Sequence, residues 1–163
     1  MKDQSTEQAR RKGRLAAINR SDGGVPKSQI NEALITETGL AGDRQRNLTL
    51  HGDPDRAVLL YSMEAIQALS SEGHPIGPGT AGENLTVADL DWSLVVPGAE
   101  ILIGDAVRLR ITKFAMPCFN IKKSFADEDS SRISPERYPG WSRACARVLS
   151  GGVVRVGDAV LLL

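Results

Sequence analysis

The chain has 163 residues, one domain's worth of sequence and enough to bury a hydrophobic core without disulfide or metal staples. Twenty Lys plus Arg balance twenty Asp plus Glu, so no global basic field draws it to nucleic acid or an anionic membrane. Sixteen Gly and eight Pro exceed the usual share of roughly 12% and point to short strands joined by many turns.

Residues 1 to 14 are charged and almost without apolar side chains, which predicts a flexible extension or a frayed helix. The ordered domain is expected over 15 to 163. Leu15 to Ile18 reads as a strand, Ser21 to Pro26 as a tight turn that delivers Lys27, and Ile30 to Thr36 as a strand. A loop from Gly39 to His51 follows, then the apolar run Ala57 to Tyr61, suited to a strand buried on both faces. The clearest helix is Ser62 to Glu72: Ser62 can cap it, Met63, Ile66 and Leu69 share a face, and Gly73 with Pro75 ends it. A loop rich in Gly and Pro, His74 to Gly82, leads into a strand from Asn84 to Ala88. Further strands are expected over Ala106 to Lys113 and around Arg143 to Leu149.

One pattern occurs twice: Ile101-Leu102-Ile103-Gly104-Asp105-Ala106-Val107 and Val154-Arg155-Val156-Gly157-Asp158-Ala159-Val160. Each reads as strand, Gly-Asp bend, strand. Two such corners among short strands predict a mainly β fold, a closed or partly closed β-barrel with a few short helices.

With only two cysteines, Cys118 and Cys145, there is no disulfide framework; with no secretory pattern and no apolar run of 18 residues, a soluble cytoplasmic protein is expected. Cys118 follows Pro117 where the chain leaves a strand, with Lys122 and Lys123 close behind. Nearby cations favour the thiolate, the form that ligates metal or attacks electrophiles. The alternative is an inert thiol packed among Phe114, Met116 and Phe119. Cys145 alternates with polar neighbours and reads as a packed thiol. No two residues have zinc-ligand spacing, since His51 and His74 are isolated.

Gly79-Thr80-Ala81-Gly82-Glu83-Asn84-Leu85-Thr86 gathers glycines, a carboxylate, an amide and hydroxyls in one loop, which suits either a polar heterocycle or a self-capped turn. Gly42-Asp43-Arg44 with His51 and Arg56 could form an anion-binding wall, or pair internally with Asp43, Asp53 and Asp55. The 14 Arg against 6 Lys bias the cations toward the bidentate guanidinium fork.

In order and spacing, several of these pieces resemble the MOSC domain, named for the C-terminal domain of molybdenum cofactor sulfurase. They are Lys27 after its turn, Gly39-Leu40-Ala41-Gly42-Asp43-Arg44, His51-Gly52 with Asp55-Arg56-Ala57-Val58, the loop Pro78 to Thr86, Pro117-Cys118, and Ala146-Arg147-Val148-Leu149 with Gly157-Asp158. Two departures stand out: Asp89 where the family commonly has glycine, and Cys145 where an aromatic residue is common. The resemblance is to a small member with no transferase domain. It implies a pyruvate-kinase-like β-barrel, and Cys118 as ligand to the molybdenum of a pterin cofactor or as carrier of sulfane sulfur. Lys27, Gly42, Asp43, Arg44, His51, Arg56, Gly82, Glu83, Asn84 and Arg147 are the implied cofactor-binding residues. The family is also associated with pyridoxal phosphate binding.

Two functions compete. In one, the molybdenum cofactor on Cys118 reduces N-hydroxylated or similar small substrates, and a reductase partner supplies electrons because the chain has no flavin, haem or iron–sulfur motif. In the other, Cys118 holds a persulfide taken from a sulfur-donor protein and delivers it to an acceptor. A third possibility is a module that binds an unrelated anionic ligand.

Overall fold

The structure is a computed structural model that describes residues 4–21, 25–43 and 53–163. Helix α1 (Gln4–Arg10) precedes strands β1 (Lys12–Arg20), β2 (Ser28–Ile30), β3 (Glu32–Thr36) and β4 (Gly39–Leu40). Then come β5 (Val58–Ser62), α2 (Met63–Ser71), β6 (Leu85–Ala88), β7 (Glu100–Ile103) and β8 (Val107–Phe114). The chain ends with β9 (Ala144–Ser150), β10 (Gly152–Arg155) and β11 (Ala159–Leu162).

Seven strands close a barrel in the order β11-β7-β8-β9-β5-β6-β1, with β1 pairing back onto β11. Every pair is antiparallel except β5 with β6. A parallel pair needs a crossover. Helix α2 and the loop rich in Gly and Pro supply it, so the one parallel pair accounts for both. The expected cap is present: Ser62 Oγ accepts from the Ala65 N–H at 3.1 Å.

Alternation sets the barrel interior. On β8, Val107, Leu109 and Ile111 point inward while Arg108 and Arg110 face out. They join Leu15, Ile18, Leu60, Leu85, Ile101, Ile103 and Val160 in the barrel core. Each fully buried aliphatic side chain contributes about 1.5–3 kcal/mol. A second cluster lies outside the barrel, where Ile66 and Leu69 of α2 meet Tyr61, Ile76, Ala81, Ile121, Phe125 and Ile133. β6 is buried along its whole length between the two.

Three differences from the sequence expectations have physical causes. The strand expected over Ile30 to Thr36 is two strands: β2 pairs with β1, whereas β3 joins β10 and β4 in a separate small sheet, and the chain bends at Asn31 between them. Within residues 1 to 14, Gln4–Arg10 forms the helix that is one of the two expectations, but Lys12, Gly13 and Arg14 are already strand and pair with β11. Backbone pairing needs no apolar side chain, and Gly13 lies so close to β6 that a Cβ there would meet the Ala88 carbonyl at 2.3 Å. The repeated strand-bend-strand pattern serves two purposes. The first copy is the β7–β8 hairpin, whereas the second carries the chain from β10 in the small sheet to β11 in the barrel. The two corners meet, with Asp158 Oδ2 at 3.1 Å from where a Gly104 Cβ would stand.

Among the described residues, no helix is long and apolar enough to cross a membrane.

Candidate functional site

The last rung of β8 is followed by Ala115, whose N–H donates to the Arg143 carbonyl at 2.9 Å. Pro117 then steers the chain off the barrel. Cys118, in extended conformation, caps a 3-10 turn over Phe119–Ser124. Its side chain is half-buried and packs against the outer cluster. Lys122 does not serve the thiol: its Nζ is 3.2 Å from Glu128 and 4.1 Å above the Phe119 ring.

The cation bonded to this segment is Arg143, immediately before β9. Its side chain is only 4% exposed. Nη1 donates to the Ala81 carbonyl at 3.0 Å and Nη2 to the Met116 carbonyl at 2.8 Å. Burial lowers the guanidinium pKa, and of the acidic groups opposing this Cys118 acts most strongly, followed by Cys145, Tyr61 and Glu83.

The glycine loop is held by its own bonds. Gly82 N–H donates to Gly79 O, which also accepts from the Lys27 N–H, both at 3.1 Å. Gly79 has φ +81°, and a Cβ there would meet the Lys27 carbonyl at 2.6 Å, so the position requires glycine. Glu83 is fully buried: Asn19 Nδ2 donates to Thr86 Oγ1 at 3.0 Å, and that hydroxyl donates to Glu83 Oε2 at 3.1 Å. Burial pushes the Glu83 carboxyl up to about 7, against the pull of the Gly79 and Glu83 N–H groups, the Thr86 hydroxyl and Arg143. Among the described residues, Glu83 Oε1, Asn19 Oδ1 and Arg143 Nε are buried without a hydrogen-bond partner.

Asn84 belongs to a second knot. Its Oδ1 accepts from the Leu59 N–H at 3.0 Å, and its Nδ2 donates to Asp43 at 2.9 Å. Asp43 also accepts from Lys27 Nζ at 2.6 Å and from the Ser21 N–H at 2.9 Å. The Lys27 and Asp43 side chains are 8% and 4% exposed. The fold therefore brings Lys27, Asp43 and Asn84 together, with Gly42 in the turn beside Asp43 and Gly82 and Glu83 in the adjoining loop. Arg44 and His51 lie outside the described residues.

Arg56 and Arg147 stand elsewhere, near the Cys145 end of β9. Arg147 Nε donates to Asp55 at 2.7 Å on the surface, and Lys113 is 3.8 Å from Asp53. Cys145 is buried, as expected of a packed thiol, and burial raises its pKa against the pull of Arg143, Arg56 and Lys113. Neither cysteine is in a disulfide.

A groove of about 600 Å³ opens beside the Cys118 turn. Met116, Pro117 and Phe119 form one wall; Asp127 to Ser131 and Arg137 form the other. Asp127 and Glu128 take left-handed conformations, φ 57° and 55°, to build that wall. The glycine loop does not line the groove.

Sequence reasoning did not single out Arg143. An arginine ahead of an alternating strand looks like a surface residue, and only its side-chain partners reveal its burial. The Asp89 departure has a clear geometric counterpart: φ is 66°, the left-handed region that favours glycine.

The sequence model of the MOSC domain matches residues 47–161, more than two thirds of the chain. "Uncharacterized protein YflK" of Bacillus subtilis is 29% identical over 142 residues, 86% of this chain and 63% of that protein. "Protein YiiM" of Escherichia coli is 28% identical over 114 residues, 67% of this chain and 50% of its own length. A protein named "Reductase" from Gibberella moniliformis is 29% identical over 131 residues, 77% of this chain but only 23% of that protein. The crystal structure of E. coli YiiM superposes with a TM-score of 0.69 over 93% of this chain and 69% of that one at 23% identity, which speaks to the fold. The chain thus spans between half and two thirds of the length of YflK and YiiM. On the extent of the family match, and with the barrel that goes with it, the chain belongs to the MOSC domain family, which is linked to molybdenum cofactor binding.

Proposed function

We propose that this protein binds a molybdenum cofactor, with the Cys118 thiolate as protein ligand to the metal, and reduces N-hydroxylated or similar small substrates in the cytoplasm with electrons from a separate reductase. The observation that carries this reading is the half-buried Cys118 thiol at a strand exit, two residues after the Met116 carbonyl that the buried Arg143 holds and next to a groove of about 600 Å³ lined by its neighbours Met116, Pro117 and Phe119. That volume lies in the range of small-molecule sites. A soft thiolate suits the metal, so the Cys118 donor fits the group.

In this reading Cys118 binds the metal and the walls of the groove orient the substrate and limit water. Lys27, Arg44 and His51 are the cations assigned to the cofactor's phosphate, and Arg56 and Arg147 an outer anion wall. Gly42, Asp43, Gly82, Glu83 and Asn84 hold that loop in place. When bound, the cofactor supplies the redox centre. The relative named "Reductase" supports a reductive role, and the match covers only 23% of it, consistent with electrons arriving from outside the matched region.

The test is to purify the protein from a host that makes the cofactor and to measure molybdenum and releasable pterin. Stoichiometric metal is expected in wild type and Cys145→Ser, and its loss in Cys118→Ser. A wild-type protein that never holds molybdenum or pterin sinks the proposal. Sulfane sulfur on Cys118 in the intact mass would replace it with the carrier function.

A further inference from the structure

Arg143 is buried at a cost, because removing a guanidinium from water is expensive and an apolar side chain of similar size commonly serves stability as well. What it does instead is bridge two segments far apart in sequence. Ala81, the acceptor of Nη1, directly precedes Gly82-Glu83-Asn84; Met116, the acceptor of Nη2, directly precedes Pro117-Cys118. Its own carbonyl accepts from Ala115, so three bonds from one residue meet at the exit of β8. The planar fork suits this role, since its donors diverge at fixed angles and a lysine's single nitrogen cannot reproduce that geometry. A second link between the segments, Ser124 Oγ donating to Thr80 O at 2.8 Å, lies at the far end of the 3-10 turn and carries no charge.

We propose that Arg143 is the positioning residue of the Cys118 site: by donating to Ala81 and Met116 it sets where the sulfur stands relative to the glycine loop, and it keeps one positive charge behind that sulfur. The inference rests on the reading of Cys118 as the reactive position. It adds that the thiol's placement and electrostatics come from a residue at β9's entrance, not from Lys122.

The experiment uses cofactor-free protein in a Cys145→Ser background, so its outcome is independent of whether molybdenum is ever found. Cys118 is alkylated with anionic iodoacetate and with neutral iodoacetamide at one pH, and the ratio of the two rates is taken. A change in access alters both rates alike, whereas loss of a nearby cation slows only the anionic reagent relative to the neutral one. Arg143→Met is expected to lower the ratio about threefold, the effect at water's dielectric constant of one charge about 6 Å away. Arg143→Lys should retain the ratio, and Ser124→Ala should leave it unchanged. Hydrogen exchange provides the geometric readout: segments 79–84 and 115–121 should both lose protection in Arg143→Met while β7 and β8 keep theirs. An unchanged ratio, or unchanged exchange in both segments, in a folded Arg143→Met protein overturns the proposal. If that variant does not fold, Arg143→Lys decides: it must lose protection in at least one segment, and wild-type exchange in both overturns the proposal.

Discussion

Replacing Glu83 with glutamine isolates the energetic consequence of burying one carboxyl in the glycine loop. An unperturbed glutamate ionises near 4.5, whereas Glu83 in the fold ionises at about 7, chiefly because burial penalises the charged form. Between those values the native protein holds a proton that the unfolded chain has released. Stability is therefore full below pH 4.5 and declines as pH rises through 7, at up to 1.36 kcal/mol per pH unit for one proton. Over that interval the loss amounts to about 3 kcal/mol. Glu83→Gln keeps the size and an acceptor for the Thr86 hydroxyl but cannot ionise, so it escapes the loss. Urea unfolding followed by the fluorescence of Trp92 and Trp141 should show the two proteins within about 1 kcal/mol of each other at pH 4.5, and the variant about 3 kcal/mol more stable at pH 8. Glu72, Asp91 and Asp129, whose pKa values are lowered by hydrogen bonds, destabilise both proteins alike in acid and cancel in the difference. A difference between the two proteins that does not change with pH would refute the reasoning.

Lys27→Met and Asp43→Asn each strand or weaken a partner in a pair with little exposure, so each should lower unfolding stability by about 3 kcal/mol. The double variant should cost less than the two singles together, which a double-mutant cycle in urea reads directly. Gly79→Ala and Gly157→Ala both force alanine into positive φ, at about 1–2 kcal/mol each. Gly79→Ala should cost about twice as much in a thermal melt, because its Cβ meets the Lys27 carbonyl at 2.6 Å while that of Gly157 meets nothing within 4 Å. Iodoacetamide applied to the native protein at neutral pH should add one label, on Cys118, and a second only after unfolding exposes Cys145, with intact mass as the readout.

Much of the architecture could be read in the chain because its signals are local. The Ser62 cap, the spacing of Ile66 and Leu69, the strand expected over Ala106 to Lys113 and the Gly-Asp bends each rest on signals over a few residues, and each appears in the structure. The family could be read for a related reason: the Gly-Glu-Asn loop followed by Pro-Cys at a set interval reflects a constraint written in residue identity. The first strand's true start could not be read, since Lys12 to Arg14 enter the barrel through backbone pairing that leaves no apolar trace. Neither could the division of Ile30 to Thr36 between two sheets, which depends on partners more than a hundred residues away.

The candidate site divides in the same way. Sequence alone determined that Cys118 stands at a strand exit and that Lys27, Asp43 and Asn84 belong to loops of one family pattern. Tertiary structure decided that Lys27 and Asn84 both donate to Asp43, that Arg56 and Arg147 lie near Cys145, and that a buried arginine joins the glycine loop to the thiol turn. The physical reason is that hydrogen-bond partners and desolvation depend on what the fold places around a side chain. Arg143 and Arg147 share a residue type and a strand neighbourhood, yet one is buried between the Ala81 and Met116 carbonyls and the other sits in solvent beside Asp55.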